Sequence, residues 1–160
     1  MKTRVIQDEP ESAESGANPQ APVAGTSETE IAATREIVWD VLTGIEHWPS
    51  WNPEVKSASM QGGLVEGSEF RWKAGPGTIT STLQLVEPPR LIAWTGTTFG
   101  IKAIHVHRLE PRGERTVVSS QESWEGLPVR ILRGRMQKTL EKSIEPGLGR
   151  LKAEAERRAS

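Results

Sequence analysis

The sequence predicts an α+β fold, in which a curved antiparallel sheet of about seven strands wraps around a long C-terminal helix. One or two short helices are expected after the first strand. Between residues 54 and 125, apolar side chains alternate with a period of two in six segments. The turns between these segments are too short to hold the crossover helices of a parallel sheet. From residue 127 onward the apolar spacing becomes helical.

Each element has its own local signal. The segment "TSETEIAA" (26–33) is typical of an edge strand, and "TREIVWDVLTG" (34–44) is typical of a short amphipathic helix. Six further strands are predicted at 54–61, 68–75, 78–87, 90–97, 101–110 and 115–125. A single long helix is expected from Leu127 to Arg158, and Pro146 should kink or interrupt it.

Composition restricts the classes of function. The chain has 160 residues, a net charge of −1 and no cysteine, which excludes thiolate chemistry and gives no sign of nucleic-acid binding. No apolar run approaches the roughly 18 residues that span a bilayer. We therefore expect a cytoplasmic protein, a monomer or homodimer, without stable membrane insertion. His105 and His107 share a strand face, but metal sites usually need three protein ligands, so no metal and no cofactor are predicted.

The first 22 residues differ in composition from the rest of the chain. Residues 1–30 contain two basic and six acidic residues, and the segment is rich in Glu, Ser, Ala, Pro and Gly. Such a segment buries too little apolar surface to offset the entropy lost on ordering. We predict a disordered acidic tail at 1–22 and one folded domain at 23–160.

The stretch "HWPSWNP" (47–53) holds two of the six tryptophans of the chain. Pro49 and Pro53 stiffen it, because each fixes φ and restricts the preceding residue. Trp48 and Trp51 are three residues apart and share a face in one helical turn. The two indoles either line the mouth of a cavity or plug the end of an ordinary core.

The segment "IAATREIVWDVLTGIEHWPSWNPEVKSA" resembles the opening of the SRPBCC superfamily, which has the START-like, helix-grip fold, and is most similar to its polyketide cyclase/dehydrase group. "LVEPPRLIAWTG", "HRLEP" and "ESWEG" fit the same pattern, and the resemblance covers residues 24–157. It implies an apolar cavity between sheet and helix. Members bind lipids, sterols, polyketides or plant metabolites, and some catalyse cyclisation or dehydration. This chain has no tyrosine, which excludes catalysis through a cavity tyrosine.

Two predicted strands bring polar side chains together. Joining them through "PRGER" places His107 opposite Ser120 and His105 opposite Glu122, with Cβ atoms about 5 Å apart. The resemblance implies that these faces point into the cavity, whereas composition alone leaves the facing open. A His105–Glu122 pair could act as a general acid and base. Alternatively, it binds a polar group of the ligand, or a bulge prevents the pair from forming.

The predicted ligand-binding residues are mostly aromatic, with a few polar groups, which is the usual composition of a small-molecule pocket. They are Trp48, Trp51, Phe70, Trp72, Trp94, His107, Ser120, Trp124, Met136 and Leu140. A filled core is the alternative interpretation of the same residues. The predicted function is binding of a hydrophobic or aromatic molecule, lipid- or polyketide-like. The alternatives are a cyclase or lyase of the polyketide cyclase/dehydrase type that uses His105 and Glu122, and an interaction domain of the same fold.

Overall fold

A computed structural model describes residues 17–18 and 20–160 and confirms the predicted architecture. The seven strands are β1 Val23–Ile31, β2 Val55–Gln61, β3 Glu69–Ala74, β4 Gly77–Glu87, β5 Leu91–Thr98, β6 Ile101–Arg112 and β7 Arg115–Glu125. The helices are α1 Arg35–Thr43, α2 Trp48–Trp51, α3 Leu127–Ile131 and α4 Arg133–Ala159, with a 3-10 turn at Ile45–His47.

All seven strands form one antiparallel sheet in the order β1-β7-β6-β5-β4-β3-β2. Strands β2 to β7 follow one another as a meander, because each connection is a short turn. The sheet is completed when β1 pairs with β7, which makes β1 an edge strand as predicted. Strands β2 to β7 begin and end within two residues of the predicted ranges, whereas β1 lies about three residues earlier than expected.

The long C-terminal helix is broken at a different position from the one predicted. The helix that begins at Leu127 ends at Ile131, and Leu132 has non-helical backbone angles, φ −108° and ψ 31°. The short α3 buries Val129 against the end of the sheet, while α4 runs along the sheet without interruption through Pro146. Of the kink or interruption predicted at Pro146, the interruption is therefore excluded. Buried leucines on both sides of the proline hold α4 against the sheet.

The main core lies between the inner face of the sheet and helices α1 and α4. Leu109 and Val118 are fully buried in it, which places their strand faces inward, as predicted. A second cluster, formed by Val23, Val129 and Leu140 with Trp124 and Met136 beside them, closes the sheet near the start of α4. Among the described residues, no helix is long and apolar enough to cross a membrane.

Most of the predicted tail, residues 1–16 and 19, lies outside the described residues. The end of the tail is attached to β7: the backbone N–H of Asn18 donates to Ser123 Oγ at 3.1 Å, and its side-chain amide donates to Glu125 Oε1 at 2.6 Å. Ala21 is buried. Within the described residues, contacts with the domain therefore already include Asn18, five residues before the predicted domain start at Val23.

Candidate functional site

The middle of the "HWPSWNP" stretch forms α2, a single helical turn with Pro49 near its start, where the missing N–H costs no helical hydrogen bond. Trp48 is buried, and its indole N–H donates to the Leu42 carbonyl at 2.9 Å. Trp51 is half-buried, and its indole N–H has no acceptor among the described residues. Asn52 ends the turn and accepts a hydrogen bond from Arg150 of α4 at 3.3 Å. The turn is thus fixed to the core and to the long helix.

A cavity of about 140 Å³ lies between the inner face of the sheet and α4. Its aromatic wall consists of Trp48, Trp51, Trp72 and Trp94. Trp48 contacts two of the others: its ring centroid lies 5.5 Å from that of Trp72 and 5.6 Å from that of Trp94. The Trp72 N–H donates to Ser81 Oγ at 3.0 Å, whereas the buried Trp94 N–H has no acceptor among the described residues.

The polar wall of the cavity is formed by the two neighbouring strands β6 and β7. The predicted register is present, with His105 opposite Glu122 and His107 opposite Ser120. The Nε2 atom of His105 lies 3.5 Å from Oε1 of Glu122. The same Oε1 atom accepts a hydrogen bond of 2.7 Å from the Trp124 indole, which fixes the orientation of the carboxylate. No bulge interrupts this pairing.

The second histidine has a different environment. Burial, with a smaller contribution from the nearby His105, lowers the pKa of His107 to about 3. Its Nδ1 atom shares a hydrogen bond of 2.6 Å with Ser120 Oγ. The imidazole of His107 is therefore neutral at physiological pH, and it is too weak a base for proton transfer near neutrality. His105 is the better candidate for acid–base chemistry.

Trp94 connects the aromatic and polar walls. Its ring stacks on His105 with centroids 5.4 Å apart and an interplanar angle of 22°, and it lies 4.9 Å from the His107 ring. These contacts leave the imidazoles few alternative orientations. The site therefore presents fixed polar groups beside an apolar space, an arrangement suited to a mostly apolar ligand with one or two polar atoms.

Six of the ten predicted ligand-binding residues line this cavity: Trp48, Trp51, Trp72, Trp94, His107 and Ser120. The other four lie elsewhere. Phe70 packs edge-on against Trp48 within the filled core, with ring centroids 5.7 Å apart. Trp124, Met136 and Leu140 belong to the second cluster, near the start of α4.

The helical side of the cavity was placed one to two turns too early in the prediction. The prediction selected Met136 and Leu140 because they lie on the apolar stripe of a helix starting at residue 127. Because α4 starts at Arg133, its middle lies near residue 146. The residues of α4 that line the cavity are Ser143, Ile144, Gly147, Leu148 and Leu151. Ile144, Leu148 and Leu151 belong to the predicted apolar stripe, whereas Ser143 and Gly147 had no signal in the sequence.

A larger cleft of about 430 Å³ lies between the segment 18–22 and the start of α3. It borders residues outside the described part of the chain and holds no cluster of aromatic or imidazole groups. We therefore assign the site to the smaller cavity. Within residues 17–18 and 20–160, no group of three or more His, Asp or Glu side chains could hold a metal ion.

The sheet wrapped around a long helix, with a cavity between them, defines a helix-grip protein of the SRPBCC superfamily. The chain belongs to the family described as polyketide cyclase/dehydrase and lipid transport, whose sequence profile matches residues 22–156. No curated protein sequence matches it.

Solved structures share the fold at low sequence identity. The hypothetical protein jhp0584 from Helicobacter pylori superposes with a TM-score of 0.75 and 16% identity, over 86% of this chain and 90% of that one. The Zhui aromatase/cyclase from a Streptomyces species gives 0.70 and 18%, over 86% and 95%. A norcoclaurine synthase from Thalictrum flavum, solved with a transition-state analogue, gives 0.66 and 16%, over 86% and 96%. At this identity, the likeness concerns the fold alone.

Proposed function

We propose that this protein binds a hydrophobic or aromatic small molecule, lipid- or polyketide-like, in the cavity between the sheet and α4. The observation that carries the proposal is the combination of four tryptophans with His105, His107, Ser120 and Glu122 around one space. Apolar walls with a few fixed polar groups are the usual composition of a ligand site. Membership of a family described as cyclases, dehydrases and lipid transporters supports the same class of ligand.

The volume and the free donors restrict the ligand further. A cavity of about 150 Å³ is large enough for benzene, so a space of about 140 Å³ accepts one ring or an apolar group of similar size. Larger ligands then have to extend beyond the cavity. The buried indole N–H groups of Trp51 and Trp94 have no acceptor among the described residues, and a buried unpaired donor is costly. A ligand oxygen would satisfy either of them.

Two glycines of α4 provide a test of where the ligand binds. Gly147 lines the cavity, Gly149 is exposed, and a Cβ added at either position meets no atom within 4 Å. Gly147→Leu should fill the cavity, whereas Gly149→Leu adds the same side chain outside it. Both changes raise helix propensity. Native mass spectrometry of the purified protein identifies a co-purifying ligand, and calorimetry then measures its affinity.

We expect Gly147→Leu to weaken binding by about tenfold or more, because the side chain occupies the space of the ligand. Gly149→Leu should bind with unchanged affinity. Equal affinity of both variants for a ligand that binds the wild-type protein would contradict the assignment of the cavity. The helical content of both variants, followed by circular dichroism, controls for misfolding.

A second candidate function is catalysis of the polyketide cyclase/dehydrase type, by a lyase or cyclase. The specific observation in its favour is the His105–Glu122 contact of 3.5 Å, with the carboxylate held by Trp124. Such a pair can exchange a proton with a substrate directly or through one water molecule. Cyclisation and dehydration next to a ketone both require a proton to be removed and returned.

Two conservative variants separate binding from catalysis. If the pair is catalytic, His105→Asn and Glu122→Gln should each reduce turnover of the identified ligand by roughly 10²- to 10⁴-fold. In a carrier, the same variants change only affinity, by about 1–3 kcal/mol for a lost buried hydrogen bond. Wild-type protein that binds the ligand but leaves it chemically unchanged would end the enzymatic interpretation and leave the binding function intact.

A further inference from the structure

Most of the exposed large apolar side chains among the described residues lie at one end of the molecule. Phe99, Leu127 and Ile131 are each 70% exposed, and Leu132 is 42% exposed. We call Leu127, Ile131 and Leu132, which lie on and directly after α3, the apolar tip; the Phe99 ring lies against Gly77 at the start of β4. Val65, at 60%, lies apart from them in the connection between β2 and β3. Single exposed apolar residues need no explanation, but a contiguous group indicates an interaction surface.

The backbone of the turn between β5 and β6 lies against the start of α3 and supports it. A Cβ added at Gly100 lies 3.7 Å from Pro128, and one added at Gly126 collides with the Gly100 carbonyl. Leu127 and Ile131 are four residues apart on one face of α3, and the buried Val129 anchors the other face. The fold therefore directs these leucine and isoleucine side chains into solvent.

The backbone of Phe99 also has an unusual conformation. Its φ of 46° is unfavourable for a bulky residue, and no other non-glycine residue in the described part of the chain has a positive φ. Phe99 and Gly100, whose φ is 75°, are the two residues of the turn between β5 and β6, and the favoured two-residue hairpin turn has a positive φ at both positions. The conformation of Phe99 is therefore a property of the turn.

The segment around the tip is basic. Residues 126–140 include Arg130, Arg133, Arg135 and Lys138 and contain no acidic residue. Arg133 donates to the Pro22 carbonyl, and none of the four forms an ion pair with another described residue. Exposed apolar side chains beside unpaired basic residues are the pattern of interfacial membrane binding.

We propose that the apolar tip docks the protein reversibly onto an anionic membrane surface, with Leu127 and Ile131 entering the interface and the basic residues contacting lipid headgroups. A bilayer is the occupant that the charge favours, because four basic residues without an acidic neighbour in 126–140 border the apolar side chains and match an anionic lipid surface. The proposed site does not depend on the function of the cavity.

The test is flotation of the full chain with vesicles of phosphatidylcholine, with and without about one-third phosphatidylserine. We expect binding to the anionic vesicles only, and weaker binding as salt increases. The double variant Leu127→Ser/Ile131→Ser should lose about tenfold or more in partitioning. Arg130→Gln should lose about fivefold. The matched control Val65→Ser replaces an equally prominent apolar residue outside the tip and should bind like wild type.

Three results would overturn the proposal: no binding of wild-type protein to the anionic vesicles, an equal loss in Val65→Ser, or full binding by the double variant. The last result would indicate electrostatic attraction without insertion of the tip. All of the substituted residues are exposed, so the variants should keep the wild-type melting temperature, and that measurement controls for misfolding.

Discussion

Trp48 and Trp51 belong to the same helical turn, but only Trp48 has an acceptor for its indole N–H among the described residues. Replacing Trp48 by Phe leaves the buried Leu42 carbonyl without that donor, whereas Trp51→Phe removes a donor that was already unpaired. We expect Trp48→Phe to cost about 1–3 kcal/mol more of the free energy of unfolding than Trp51→Phe. Chemical denaturation of both variants measures the difference. Equal losses would show that packing, and not the hydrogen bond, determines the cost.

The lowered pKa of His107 makes stability depend on pH in a defined direction. The pKa is about 3 in the folded protein and near 6.5 in the unfolded chain. Between these values the unfolded chain binds one proton that the folded protein does not, so acid favours unfolding. The stability advantage of wild type over His107→Asn should fall by up to about 1.4 kcal/mol per pH unit as the pH falls from 6 to 4.

Carboxylates also titrate in that range, but they are common to both proteins and largely cancel in the comparison. Urea denaturation of wild type and His107→Asn at several pH values gives the required difference. A difference that does not change with pH would mean that His107 is not kept neutral by burial.

At the level of the elements, two successive turns of α4 have different surroundings. The turn with Leu140 packs in the second cluster, and the turn with Ile144 borders the cavity. Leu140 is fully buried and lies 3.5 Å from the position of a Cβ on Gly25, whereas Ile144 lines the cavity. Leu140→Ala should cost about 2–5 kcal/mol of the free energy of unfolding. Ile144→Ala should cost less than half as much, because the lost methyl groups face existing free volume. Similar values for the two variants would indicate that the cavity is filled in solution.

Strands were easier to predict from the sequence than the long helix. Alternation and turn residues define each strand locally, and short turns fix the register, so the His105–Glu122 and His107–Ser120 pairs could be predicted. The break at Leu132 has no proline or glycine at that position to mark it. It results from burial of Val129 against the sheet, which is a tertiary contact. The helical wall of the cavity could not be located from the sequence, because the apolar stripe continues along α4 and its spacing does not show which turn borders free volume.

On the scale of the whole molecule, the contacts of Asn18 and Ala21 divide the predicted tail into two parts. Residues 1–16 have the composition of a segment that adds little stability, whereas Asn18 and Ala21 are attached to the end of β7 and to the core. Removal of residues 1–16 should change the melting temperature by less than about 3 °C. Removal of residues 1–22 should lower it further, because the two hydrogen bonds of Asn18, the hydrogen bond from Arg133 to the Pro22 carbonyl and a buried alanine are lost. Calorimetry of both truncated proteins tests this boundary, and a large loss from the shorter truncation would place structural contacts before residue 17.

The uninterrupted course of α4 through Pro146 has a consequence for how a ligand reaches the cavity. Proline has no N–H to donate to the Lys142 carbonyl, and Gly147 and Gly149 each lower helix propensity by about 1 kcal/mol relative to alanine. The weakest turn of the helix is therefore also a wall of the cavity. Loosening this turn requires less free energy than unfolding the domain.

The rate of ligand uptake should then follow the frequency of this local opening and not the rate of diffusion. Hydrogen–deuterium exchange at residues 147–150 should be faster than at residues 153–156, in the last part of the same helix. Pro146→Ala should slow both that exchange and the association of a ligand, and leave equilibrium affinity nearly unchanged. Pro146, which weakens the helix, thereby also sets the residence time of a bound ligand.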